Sequence, residues 1–174
     1  GEVPPGPRIL LLVADGGLAP AEPDGLPALR LPSIGAVSAW LLLRAFTLGA
    51  GGIAGVACPS GCPHRCDVAR WERVLSFTRE VLARFGIVGD RLLVVRRAEA
   101  ERGPRLKAFA AAMAVRGPHR LRGCSAAKSN ERTPLADLLQ HLATIDPVPP
   151  APLRGEGVPF GMVRVQAARC TLCG

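Results

Sequence analysis

Apolar residues fall along this chain in short runs and in helical steps, and the two kinds alternate. "RILLLVA", Arg8 to Ala14, is an almost unbroken apolar run of strand length, the pattern of a strand buried on both faces. The stretch "DGGLAPAEPDGLP" that follows is too rich in Gly and Pro to hold a helix of any length. "ALRL", Ala28 to Leu31, predicts a second short strand. Ser38 predicts the N-cap of a helix over "AWLLLRAFTL" that stops at Gly49. "GGIAGVAC", Gly51 to Cys58, predicts a small-residue strand that tolerates close packing on both faces.

The clearest helix comes next. Val68, Trp71, Leu75, Thr78, Leu82 and Phe85 step by three or four residues, Asp67 precedes them as a cap, and Gly86 ends the run. "RLLVV" after Asp90 predicts another strand, and "PRLKAFAAAMAV" a helix up to the break at Gly117 and Pro118. "CSAAKSN" reads as a loop. "TPLADLLQHLATI" predicts a last helix with Thr133 as N-cap and Pro134 at its first position. Strands alternating with helices at this spacing predict an α/β fold, a small Rossmann-like parallel sheet with flanking helices, over residues 8–145. Asp146 to Gly161, "DPVPPAPLRGEGVPFG", is a Pro/Gly-rich linker, and residues 162–174 begin something new.

Composition adds limits. With 174 residues, 48% of them hydrophobic, the chain is of a size and apolar content that build a globular core. Its longest apolar run, Ile9 to Ala14, is far short of the roughly 18–20 residues that span a bilayer. The opening "GEVPPGPR" has neither an initiator Met nor the pattern of a signal peptide, so both ends are read as cut points. The net charge of +8 would ordinarily raise nucleic acid as a partner. Here the positive charge is nearly all scattered arginine, with lysine only at Lys107 and Lys128, and aromatics make up 4% of the chain. Such a chain lacks both a basic stripe and stacking platforms, so no nucleic-acid partner is expected.

The chemistry lies in the cysteines: Cys58, Cys62, Cys66, Cys124, Cys170 and Cys173. Five of the six fall into two tight clusters, which is what one metal group reached by several thiolates requires. A reducing, cytoplasmic compartment follows from that use of thiols. "CPSGCPHRC" spaces Cys58, Cys62 and Cys66 four and four apart, between the end of the small-residue strand and the start of the long helix. That is the carboxyl edge of a parallel sheet, where open α/β folds put their ligands. Pro59, Gly61 and Pro63 keep the segment out of helix, and the adjacent helix N-terminus favours thiolate. The plain alternative is three buried thiols, and His64 reads as an exposed loop histidine unless it is a fourth ligand. Cys124 reads as a lone thiol. His119, in a turn, and His141, on an amphipathic helix, read as surface residues. No GxGxxG, Walker loop or GxSxG elbow is present, so no catalytic residue is assigned.

The segment "LRLPSIGAVSAWLLLRAFTLGAGGIAGVACPSGCPHRCDVARWERVLSFTREVLARFGIVGDRLLVV" resembles the small iron-sulfur (delta) subunit of methyl-viologen-reducing hydrogenase. That domain is also found fused to heterodisulfide-reductase-type proteins. The likeness covers about residues 8 to 116. It implies a two-iron (2Fe-2S) cluster and a relay of electrons between a hydrogenase or dehydrogenase and a flavin or heterodisulfide-reductase-like partner. The chain departs from the family pattern in two places. Val13, Ala14 and Asp15 stand where the first cysteines are expected, and Pro32 and Ser33 stand where the family has Pro-Cys. Three cysteines in one turn do not complete a four-ligand site, so Ser33, Asp15, His64 or Cys124 completes it, or the site is empty.

"VRVQAARCTLCG", Val163 to Gly174, is similar to the opening of a bacterial ferredoxin repeat: a short strand, a turn, then C-x-x-C-Gly. The resemblance implies that Cys170 and Cys173 are the first two ligands of a four-iron (4Fe-4S) cluster whose other ligands lie beyond this fragment. The function expected is therefore an iron-sulfur electron-transfer module with no catalytic site of its own, working with redox protein partners. The alternative is a cluster-less docking scaffold that positions a downstream ferredoxin domain.

Overall fold

The computed structural model describes residues 8–14, 26, 28–57, 68–96, 102–121 and 134–145. Four strands, β1 (Arg8–Ala14), β2 (Ala28–Leu31), β3 (Ala50–Ala57) and β4 (Leu92–Arg96), form one sheet in the order β2-β1-β3-β4. All three pairings are parallel. Four helices accompany them: α1 (Ala39–Thr47), α2 (Val68–Arg84), α3 (Arg102–Arg116) and α4 (Pro134–Ile145). This is the expected α/β, Rossmann-like arrangement.

The apolar runs explain the layers. Successive side chains of a strand point to opposite faces, and the two inner strands are apolar on both. Ile9, Leu11 and Val13 join Ala54, Val56, Val95, Leu106, Phe109 and Met113 in a core beneath α3. Leu12, Ala14, Ile53 and Leu92 join the buried residues of α1, α2 and α4 in the core on the other face. In β3 two glycines let the helices come close. A Cβ on Gly52 would stand 2.8 Å from Met113 Cγ and 2.9 Å from Phe109 Cζ. On the opposite face a Cβ on Gly55 would stand 2.8 Å from Trp71 Cζ2. β3 begins one residue before the predicted strand, at Ala50, and Cys58, the predicted last residue, lies outside the described residues.

Helix ends follow the local chemistry. Ser38 Oγ accepts from the Leu41 N–H at 3.3 Å, the cap expected for α1. At the end of α2, Gly86 adopts a φ of 67°, the Ile87 N–H donates to the Leu82 carbonyl at 2.9 Å, and the Gly86 N–H donates to Ala83 at 3.0 Å. Those two bonds are a Schellman closure, with Ile87 folded back into the core. Thr78 sits on the apolar stripe of α2 without an unmet hydroxyl, because Oγ1 donates to the Val74 carbonyl at 2.7 Å. The expected caps Asp67 and Thr133, and the linker at 146–161, lie outside the described residues. Two short 3-10 turns, Ile34–Ala36 and Gly89–Arg91, were not expected. Among the described residues, no helix is long and apolar enough to cross a membrane.

Candidate metal centre

The four strands end level with one another. Ala14 pairs with Leu31, Val13 with Val56, and Ala57 with Arg96. The chain therefore leaves β1, β2, β3 and β4 along one edge, with Asp15, Pro32, Cys58 and Arg97 as the next residues. β1 connects leftward to β2, whereas β3 lies on the other side of β1. The reversal of strand order falls between β1 and β3. In open parallel sheets the crevice at such a point, outside the carboxyl ends of the strands, is where ligands bind.

The cysteine turn 58–67 begins at that point. Cys58 follows the last residue of β3, and α2 starts two residues after Cys66. Cys58, Cys62, Cys66 and His64 themselves lie outside the described residues, as do Asp15, Cys124, Cys170 and Cys173. The elements that launch and receive the turn are described. β3 is buried along its whole length. The N-terminus of α2 carries a partial positive charge that favours an anionic group in the turn before it.

Ser33 occupies the same edge. It follows β2 and caps the short helix Ile34–Ala36, its Oγ accepting from the Gly35 N–H at 3.1 Å. Ile34 is fully buried, and its short helix packs on β1, β3 and α2. The Ser33 hydroxyl is thus engaged in shaping the backbone just where the resemblance led us to expect a cysteine.

Trp71 packs against β3. It lies in the first turn of α2 and is 1% exposed. Its Cζ2 and Cε2 lie 2.8 Å and 3.4 Å from the position of a Gly55 Cβ. The indole Nε1 is buried and has no hydrogen-bond partner among the described residues. Sequence reasoning placed Trp71 on the apolar stripe of α2 and read it as core; its N–H was overlooked. The available signal was a donor-bearing aromatic five residues after Cys66.

The opposite, amino edge is built differently. Arg91 is 7% exposed, and its Nη1 donates to the Gly51 carbonyl at 2.7 Å. Both Nη1 and Nη2 donate to the Gly117 carbonyl at 3.2 Å. Burial and then the charge of Arg116 push the Arg91 pKa below its ordinary value, and Asp90 acts in the raising direction. Asp90 is ion-paired with Arg116. His119 Nε2 lies 2.8 Å from the Ala50 carbonyl, and its ring meets Phe46 edge-on at 5.3 Å. The expectation of a surface histidine is corrected there, because His119 packs where α3 returns to the start of β3. His141 is also half-buried.

Residues 20–116 match the sequence model of the family described as methyl-viologen-reducing hydrogenase, delta subunit. The chain belongs to this family. The matched range takes in β2, β3, β4, α1, α2, α3 and the cysteine turn, and so includes the edge just described except the end of β1. Membership makes the chain a hydrogenase-associated subunit related to electron transfer. No curated protein matches it at a significant level.

In this delta-subunit domain three thiols lie within nine residues of sequence, a helix N-terminus follows them, and a buried N–H without an acceptor among the described residues sits beside β3.

Proposed function

We propose that this chain is an iron-sulfur electron-transfer module that relays electrons between a hydrogenase or dehydrogenase and a heterodisulfide-reductase-like or flavin protein. Cys58, Cys62 and Cys66 would hold the cluster in the β1/β3 crevice. The observation that carries the reading is that three cysteines fall in the connection from the carboxyl end of β3 to the start of α2, at the edge where the strand order reverses. In this reading residues 8–145 are the delta-subunit domain and 146–161 a linker. Residues 162–174 open a ferredoxin repeat, with Cys170 and Cys173 as ligands of a 4Fe-4S cluster. After anaerobic purification and reduction with dithionite, the chain is expected to give the electron paramagnetic resonance signal of a reduced cluster. Cys58→Ser should remove that signal; a wild-type chain without a signal in either redox state rejects the reading.

One observation favours a second reading. Ser33 is committed to a backbone cap, which leaves the turn a ligand short. A domain that had lost its cluster would serve as a scaffold that docks partners and positions a ferredoxin domain. It would show no visible absorbance, and Cys58→Ser and Cys62→Ser would change nothing.

A further inference from the structure

Arg91 and Arg116 line one small cavity at the amino edge of the sheet. The cavity has a volume of about 210 Å³, is partly open to solvent, and counts Val88, Pro118, His119 and Arg120 among its other walls. None of its described lining residues is acidic. Burial first, and the charge of Arg116 second, disfavour the charged form of Arg91. Two like charges kept within each other's field beside a cavity make a place that a negative group would stabilise.

The groups that would repel an anion at this edge are already engaged. α2 and α3 end here, and helix C-termini carry partial negative charge on their last carbonyls. At the end of α2, the carbonyls of Leu82 and Ala83 accept from the Ile87 and Gly86 N–H groups. The carbonyls of Gly117 and Gly51 accept from Arg91, and that of Ala50 accepts from His119 Nε2. Arg91 has donors to spare. A guanidinium has five N–H groups, and three contacts to those two carbonyls are its bonds among the described residues. The carboxylate that answers Arg116 belongs to Asp90, which is not part of the lining.

Size decides the class of ligand. Pockets for nucleotide-sized or drug-sized molecules run from about 300 to 1,000 Å³, so such a ligand is too large. Room for about seven waters, at roughly 30 Å³ each, suits a single phosphate or carboxylate group. We propose that this cavity binds a small oxyanion, a phosphate or a carboxylate group, through Arg91 and Arg116. Arginine pairs with both groups through two parallel N–H···O bonds.

The test is a titration of the full chain at low ionic strength, with chloride as the background anion. Inorganic phosphate is added in one arm and a hexaglutamate peptide in the other. The backbone amide resonances of Val88 and Arg120 should move saturably in at least one arm. Tighter binding of phosphate identifies a free anion as the ligand; tighter binding of the peptide identifies an acidic side chain of a partner protein. Arg116→Gln should weaken the binding about tenfold, through loss of a charge-assisted contact. Asp90→Asn should strengthen it about fivefold, because the carboxylate that competes for Arg116 is gone. Both side chains are partly exposed, so neither change is expected to unfold the chain. A change that only damaged the fold would weaken binding in both variants, so the opposite signs separate a ligand site from a structural ion pair. The proposal is overturned by the absence of a saturable shift in both arms, by an affinity that Arg116→Gln leaves unaltered, or by an Asp90→Asn variant that binds no more tightly than wild type.

Discussion

Trp71 occupies the space that a side chain at Gly55 would need: the indole Cζ2 stands 2.8 Å from a Cβ built there. The contact joins the first turn of α2 to the carboxyl end of β3, the two elements that flank the cysteine turn. Gly55→Ala should therefore drive the two apart, because an indole enclosed on all sides cannot swing away. The expected cost is about 1–3 kcal/mol in urea denaturation, the range for overpacking a close-packed core. Any metal held by the turn should be lost along with it.

Gly52 gives a contrasting case on the other face. A Cβ there would meet Met113 Cγ and Sδ at 2.8 and 2.9 Å and Phe109 Cζ at 2.9 Å. Methionine is flexible enough to give way, so the clash has a remedy. Gly52→Ala should destabilise on its own, and so should Met113→Ala, which leaves a cavity. The double variant should lose less than the two single losses added together. Additive losses would mean that the two residues do not share the space.

Arg91 ties the start of β3 to the end of α3. Replacing it with leucine leaves the carbonyls of Gly51 and Gly117 without those donors. A loss of about 1–3 kcal/mol is expected for buried groups stripped of a partner. Arg91→Lys should recover only part of it, since a single ammonium lacks the planar fork that reaches both carbonyls. The lowered pKa makes the unfolded state the better proton binder, so the charged form costs stability below the titration and that cost fades only as pH rises through it. Arginine stays charged at ordinary pH, so denaturation midpoints of wild type and Arg91→Leu should differ by a constant amount across the neutral range.

Ser33 separates cap from ligand. Ser33→Ala removes the oxygen that accepts from Gly35 and should lower stability by about 0.5–2 kcal/mol without altering metal content. Ser33→Cys should raise iron content after reconstitution, because it adds a thiol at the edge where β1 and β3 also end. Equal iron in Ser33→Cys and wild type would place position 33 outside the site.

Much of this was legible in the sequence. The apolar run at Ile9–Val13 and the three-or-four-residue step from Trp71 to Phe85 dictated β1 and α2, because burial on two faces and on one face leave different periods. The carboxyl-edge position of the cysteine turn followed from strand-turn-helix order alone. Ile34–Ala36 and Gly89–Arg91 escaped notice because a single 3-10 turn is too short to show a period. The partial burial of His119 escaped for another reason: its partner Ala50 is 69 residues away in the chain, and local pattern carries no such information. Trp71 was placed correctly and read too narrowly, since an apolar stripe shows that an indole is buried but not what its nitrogen faces.

The central claim is that the turn between β3 and α2 holds an iron-sulfur cluster. Iron and acid-labile sulfide, assayed together on the anaerobically purified chain and on its Cys58→Ser and Cys62→Ser variants, test it most directly. The account predicts both elements in the wild type and a marked loss of both in each variant. A wild-type chain that carries no more iron and sulfide than the variants would contradict it.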